Sequence, residues 1–172
     1  MKLSKNVQYY GKNESLPEQI DLKAGPLNLF YEAGDLRYIK YGDKEIIRRI
    51  YVAVRDRNWD TVKPVLSNVK MDIEGDSFII TYTVSNIQSD IDFCWQGKII
   101  GKANGTITFS MDGEARSTFW RNRIGFCILH PMLKLHTLYS IYSPRIFQKQ
   151  IVQTIYILSL KISIKRGGSE VK

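Results

Sequence analysis

The sequence predicts an all-β fold, an antiparallel β-sandwich followed by an irregular basic C-terminal tail. Three observations carry this expectation. Turn signals built from Gly, Asp and Asn recur at roughly 8 to 12 residue intervals, the spacing of short sandwich strands. The runs between them are rich in β-branched and aromatic residues, and no amphipathic helical pattern separates them. In Phe78, Ile80, Tyr82 and Val84 the apolar side chains fall at period two, with Thr81, Thr83 and Ser85 opposite, as a half-buried strand requires. A parallel α/β sheet is excluded, because its crossovers need helices.

In chain order, the residues up to Gly11 are polar and aperiodic, and Asn13 to Glu18 with Pro17 reads as a loose lead-in. Gly25-Pro26 then precedes a strand at Leu27 to Glu32. Ala33-Gly34-Asp35 turns the chain into Leu36 to Tyr41, and Gly42-Asp43 turns it again into Glu45 to Arg55. Asn58 to Pro64 is a loop, Val65 to Ile73 a strand, and Glu74-Gly75-Asp76 the turn into Phe78 to Val84. Ile79 interrupts the alternation there, so the other face is expected to be partly covered. Ile91 to Ile100, the Gly101 to Gly105 turn, Ile107 to Met111, an Asp112-Gly113 turn and Ala115 to Trp120 continue the meander. With the apolar stretch that follows, about nine or ten strands are expected before residue 130, enough for a sandwich.

After Pro131 the composition changes. Residues 1–130 carry 18 Lys and Arg against 16 Asp and Glu, whereas residues 131–172 carry 7 cations and one acid, Glu170. Of the net charge of +8, +6 therefore resides in the tail, where cations are scattered among isoleucines and leucines without the spaced aromatics of a nucleic-acid binder. Within the tail, Leu158, Leu160, Ile162 and Ile164 alternate with Ser159, Lys161, Ser163 and Lys165, an amphipathic strand pattern. The expected organisation is a lead-in over 1–19, a β-sandwich domain over 20–131 and an atypical tail over 132–172.

Several function classes lack their residues. His130 and His136 stand without ligand-spaced cysteines, so no metal site is expected. No Gly-rich phosphate loop precedes a helix, no serine sits at a nucleophile elbow, and no cofactor is implied. Cys94 and Cys127 lie in apolar runs, where free thiols pack as small hydrophobes. Met1 to Lys12 contains no apolar leader core, and Ile151 to Leu160 is too short and too polar to span a bilayer. These features make the cytoplasm the expected location, with no membrane partner.

The densest polar cluster in an apolar stretch is Arg121-Asn122-Arg123, followed by Gly125 to His130-Pro131. Guanidinium and amide groups are planar donors suited to sugar hydroxyls and carboxylates, and Trp59 or Trp120 could stack on an apolar sugar face. Asn122, Arg123, His130 and Trp59 are therefore the candidate residues for a sugar or sugar-acid ligand. Asp56 with Asp60 and Asp90 with Asp92 read as exposed strand-end acids.

Linked blocks of sequence carry a family resemblance. Leu22-Lys23-Ala24-Gly25-Pro26-Leu27, Gly34-Asp35-Leu36-Arg37-Tyr38-Ile39, Glu45-Ile46-Ile47-Arg48, Val54-Arg55-Asp56-Arg57-Asn58-Trp59 and Asn122-Arg123-Ile124-Gly125-Phe126 with Leu129-His130-Pro131 resemble the N-terminal region of D-apionate lactonases over residues 20–131. The resemblance implies a sugar-acid lactone hydrolase of carbohydrate catabolism, with an N-terminal β domain and a larger catalytic region. That region has no counterpart here, so the resemblance implies a truncated piece, inactive alone, and supplies no catalytic residue. It ends after Pro131, which implies a tail read out of frame, and it leaves an apolar flank for the missing domain or for self-association. A looser likeness to galactose mutarotase-like sandwiches makes the expected fold supersandwich-like and keeps an epimerase as an alternative. A carbohydrate-binding or interaction module without chemistry is the other.

Overall fold

The computed structural model describes residues 4–11, 13–131 and 158–166. It contains a short helix and ten strands: α1 (Lys5–Tyr10), β1 (Gln19–Ala24), β2 (Leu27–Glu32), β3 (Asp35–Tyr41), β4 (Lys44–Asp56), β5 (Pro64–Glu74), β6 (Ser77–Gln88), β7 (Ile91–Gly101), β8 (Ile107–Ala115), β9 (Arg121–Leu129) and β10 (Leu158–Arg166). Two five-stranded sheets form, in the orders β1-β2-β3-β4-β9 and β10-β8-β7-β6-β5. The expected all-β sandwich is the fold of this chain.

The two sheets bury a common core that follows the period-two rule. Phe78, Ile80, Tyr82 and Val84 of β6 are all buried, and with Phe93, Phe109, Leu29, Leu36 and Ile50 they join one apolar cluster. The large rings need room that glycines provide. A methyl group on Gly97, Gly101 or Gly113 would lie 2.4 Å or less from the ring of Tyr82, Phe78 or Phe93 respectively. The aromatic rings thus lie directly over glycine backbone. Tyr82 is further fixed by its hydroxyl, which donates to the Gly34 carbonyl at 2.7 Å.

Several local expectations are corrected. Asp112-Gly113 lies inside β8 rather than at a turn, because the missing Cβ of Gly113 makes room for Phe93. Ala115 to Trp120 is not a strand: β8 ends at Ala115, and the chain leaves the sheet. Ser117 accounts for this, as its hydroxyl donates to the Asp90 carbonyl at 2.7 Å and accepts from the Asp92 amide at 3.0 Å. Ile79 itself is 44% exposed, while Thr81, Thr83 and Ser85 on the same face are half-buried, so that face is partly covered as expected but not at Ile79. The polar start of the chain holds α1, whose Val7 amide donates to the capping Ser4 hydroxyl at 3.3 Å. β1 precedes the first expected strand and pairs with β2 from Gln19 opposite Glu32 to Ala24 opposite Leu27.

The tail is irregular only in expectation where it is described. β10 joins β8 in parallel, whereas the other neighbouring strands pair antiparallel. Its apolar positions Leu158, Leu160, Ile162 and Ile164 stand in register with Ile107, Phe109, Met111 and Gly113. The amphipathic pattern thereby aligns with the core-facing positions of β8. The remainder of the tail, including His136, lies outside the described residues.

Candidate functional site

Sequence places two exposed tryptophans at one end of the first sheet, and local backbone bonding holds the first of them there. β4 ends at Asp56, whose carboxylate accepts from the amides of Asn58 at 2.8 Å and Asp60 at 3.0 Å. Asparagine- and aspartate-type turns of this kind let the side chain replace a backbone partner and reverse the chain. Trp59, at the apex, takes a left-handed φ of 73° and is 56% exposed. The Arg55 guanidinium lies 5.9 Å from its ring centroid and donates to its carbonyl at 3.2 Å.

Below the apex the loop is tied into the core. The Val62 amide donates to the Val54 carbonyl at 2.9 Å. Its carbonyl accepts from the Asn86 amide nitrogen at 3.0 Å, and the Asn86 oxygen accepts from Trp95 Nε1, also at 3.0 Å. This buried relay connects the loop to the second sheet.

β9 reaches the same end. Arg121 lies opposite Asp56 and Arg123 opposite Arg55, with a register shift between them that makes Asn122 the extra residue. Such bulges re-aim side chains at strand ends. Arg123 Nη2 donates to the Phe126 carbonyl at 2.8 Å, which steadies the guanidinium stem. Trp120, 78% exposed, immediately precedes the strand. The register therefore places Asn122 and Arg123 beside Arg55, which itself stacks on Trp59. His130 is not brought to this group. It follows the other end of β9, seven residues from Arg123, a span of about 23 Å in an extended strand.

A second polar cluster went unread in the sequence. Asp35, at the start of β3, pairs with Arg49 at 2.6 Å, and Arg37 lies 3.6 Å from Glu32. Burial pushes the Asp35 carboxyl up to about 6, and the pull of Arg49 does not cancel it. Tyr31 is pushed up to about 12 and Tyr82 well above its ordinary value, in both cases chiefly by burial. The only sequence signal at Asp35 is its place in Ala33-Gly34-Asp35, which reads as a turn. Among the described residues no group of three or more His, Cys, Asp or Glu is placed to hold a metal ion. No helix among them is long and apolar enough to cross a membrane.

Comparison with known proteins agrees with the family resemblance of the sequence blocks. The family described as D-apionate lactonase, N-terminal domain, matches residues 7–138. The chain is 36% identical over 129 residues to the D-apionate lactonase of Brucella anthropi, an alignment that covers 72% of this chain. It spans only 20% of that relative's length. No solved structure matches.

Proposed function

The chain belongs to the D-apionate lactonase N-terminal domain family, and from that premise we propose that it serves a sugar-acid lactone hydrolase as a carbohydrate-holding β-sandwich. The observation that carries this reading is the end of the first sheet, where Trp59 and Trp120 stand exposed beside Asn122 and Arg123. An indole face packs on the C–H side of a sugar, while amide and guanidinium groups donate to its oxygens.

In the reaction of such an enzyme, a water oxygen bonds to the lactone carbonyl carbon and the ring C–O bond breaks. The water proton passes through a general base to the departing alkoxide, and fixed donors stabilise the oxyanion. The surface around Trp59 has binding groups for this substrate, and we assign the hydrolytic groups to the larger part of the relative that lies outside the match. The unpaired thiols of Cys94 and Cys127 support a cytoplasmic, reducing location.

Titration calorimetry of the 172-residue chain with D-apionate, and a ring-opening assay with the corresponding lactone, test the reading. Saturable binding without lactone turnover is expected, weakened about tenfold or more by Trp59→Ala and by Arg123→Ala. Turnover by this chain alone, or binding untouched by both substitutions, overturns it.

A further inference from the structure

A separate depression of about 340 Å³ opens along β1, β2 and β3, lined by Asp21, Lys23, Asn28, Phe30, Tyr38 and Lys40. Pockets for small ligands begin near this volume. Three features make it more than a groove between strands.

The first is charge in register. Lys23 lies opposite Asn28, and Asn28 opposite Lys40. One row across three strands thus carries two cations on either side of an amide donor. The outer strands of such a row are about 10 Å apart, so both ammonium groups can reach a single anion between them.

The second is that these groups are uncommitted. Among the described residues, the side chains of Asp21, Lys23, Asn28 and Lys40 enter no hydrogen bond or ion pair. Their neighbours Glu32, Asp35, Arg37, Arg48 and Arg49 are all paired with one another or with Glu45.

The third is a re-aimed aromatic. From Arg37 to Lys40, β3 takes three steps against two steps of β2 from Phe30 to Asn28, which marks a bulge. Tyr38 sits there at φ 50°, a conformation that costs a non-glycine residue stability and that concentrates at binding sites. Buried Leu36 and Ile39 bracket the bulge, leaving both Arg37 and Tyr38 on the outer face. The Tyr38 ring is then held edge-on by Phe30 at 6.2 Å, with the Arg37 and Arg48 guanidinium groups at 5.2 and 5.4 Å from its centroid.

We propose that this depression is a second binding site, for a small hydroxylated carboxylate of the sugar-acid class. Lys23 and Lys40 hold the carboxylate, with Asn28 between them. Phe30 and Tyr38 meet the C–H face of the carbon chain, and Asp21 accepts from its hydroxyls. The choice of sugar acid rests on the lactonase reading, because the product of lactone opening has this chemistry.

The test is an amide chemical-shift titration of the full chain with D-apionate and, at equal ionic strength, with the uncharged polyol xylitol. D-Apionate should give saturable shifts across residues 21–40, with xylitol about tenfold weaker or more. Lys23→Gln with Lys40→Gln, which keep most of each stem, should weaken the response about tenfold or more and leave the shifts around Trp59 unchanged. Tyr38→Ala should do the same. Shifts confined to the Trp59 and Arg123 end would overturn this site and leave the proposed function standing. Shifts confined to residues 21–40 would support this site and overturn the assignment at Trp59. Equal responses to xylitol and D-apionate would overturn the anion assignment, and no saturable shift anywhere would overturn both sites.

Discussion

Asn86 is a polar side chain set among the core-facing positions of β6, two residues beyond Val84 and 2% exposed. Its amide nitrogen donates to the Val62 carbonyl and its oxygen accepts from Trp95 Nε1, each at 3.0 Å. Asn86→Ala therefore removes the partner of two buried groups at once. Each orphaned group costs about 1–3 kcal/mol in lost solvation that nothing restores. The expected loss is about 2–6 kcal/mol, a large part of a typical folding stability of roughly 5–15 kcal/mol. For a chain of this length, at about 2–4 °C per kcal/mol, that lowers the melting temperature by roughly 4–24 °C.

Urea unfolding followed by far-ultraviolet circular dichroism measures the loss. A double-mutant cycle identifies its source. Trp95→Phe removes the indole donor but keeps an aromatic body, so Asn86→Ala should cost at least about 0.5 kcal/mol less in that background. The Val62 amide, which ties the loop bearing Trp59 to β4, should also exchange hydrogen faster in Asn86→Ala. An Asn86→Ala protein within about 0.5 kcal/mol of the parent, the ordinary range of a surface substitution, would refute the relay as a support of the fold.

Asp35 should make stability fall with rising pH. Its carboxyl is raised to about 6 from 3.8, so the folded chain holds this proton more tightly than the unfolded one. Its contribution is complete below pH about 4 and is lost as pH rises through about 6, by at most about 3 kcal/mol. Asp35→Asn has no proton to lose and should lack this loss in urea titrations at pH 4 and 7; parallel profiles for the two proteins would refute it. Gly97→Ala would place a methyl carbon 2.4 Å from Tyr82 Cζ, and the ring cannot withdraw without breaking its bond to Gly34. A loss of about 1–3 kcal/mol by overpacking is expected in the same assay, and an unchanged unfolding midpoint would show that the ring is free to move.

What was legible in the sequence follows from how locally each feature is encoded. The β6 stripe alternates within a few residues, so its buried face could be read directly. Gly113 could not, because glycine marks a turn as readily as it makes room for a ring, and Phe93 lies on another strand. β1 carries the same alternation, Ile20, Leu22 and Ala24 against Asp21 and Lys23, but over only six residues directly after a polar lead-in. The pattern of β10 was visible, but its parallel partner was not, since register between distant segments depends on which edge is open. At the candidate site, Trp59 and Arg123 could be named as types suited to a sugar. Their proximity depends on the pairing of β4 with β9, and the same pairing carries His130 to the far end. Asp35 was missed because burial, not its neighbours in sequence, gives it its character.

The exposure of the Trp59 end also bears on the chemistry it can do. Hydrogen-bond donors stabilise an oxyanion strongly only where water is excluded, because the Coulomb energy of a close pair falls several-fold between a protein interior and bulk water. Trp59 and Trp120 are more than half exposed, so Asn122 and Arg123 beside them work in a wet setting. Such a surface can recognise a sugar acid, since stacking and paired donors tolerate water. It cannot by itself supply the dry, fixed dipoles that lactone opening demands. Burying the two indoles beneath a second surface would remove roughly 150–250 Å² each from water and would dry the same donors. Recognition and hydrolysis are thus separable demands, and the reading proposed above gives this sandwich the first of them.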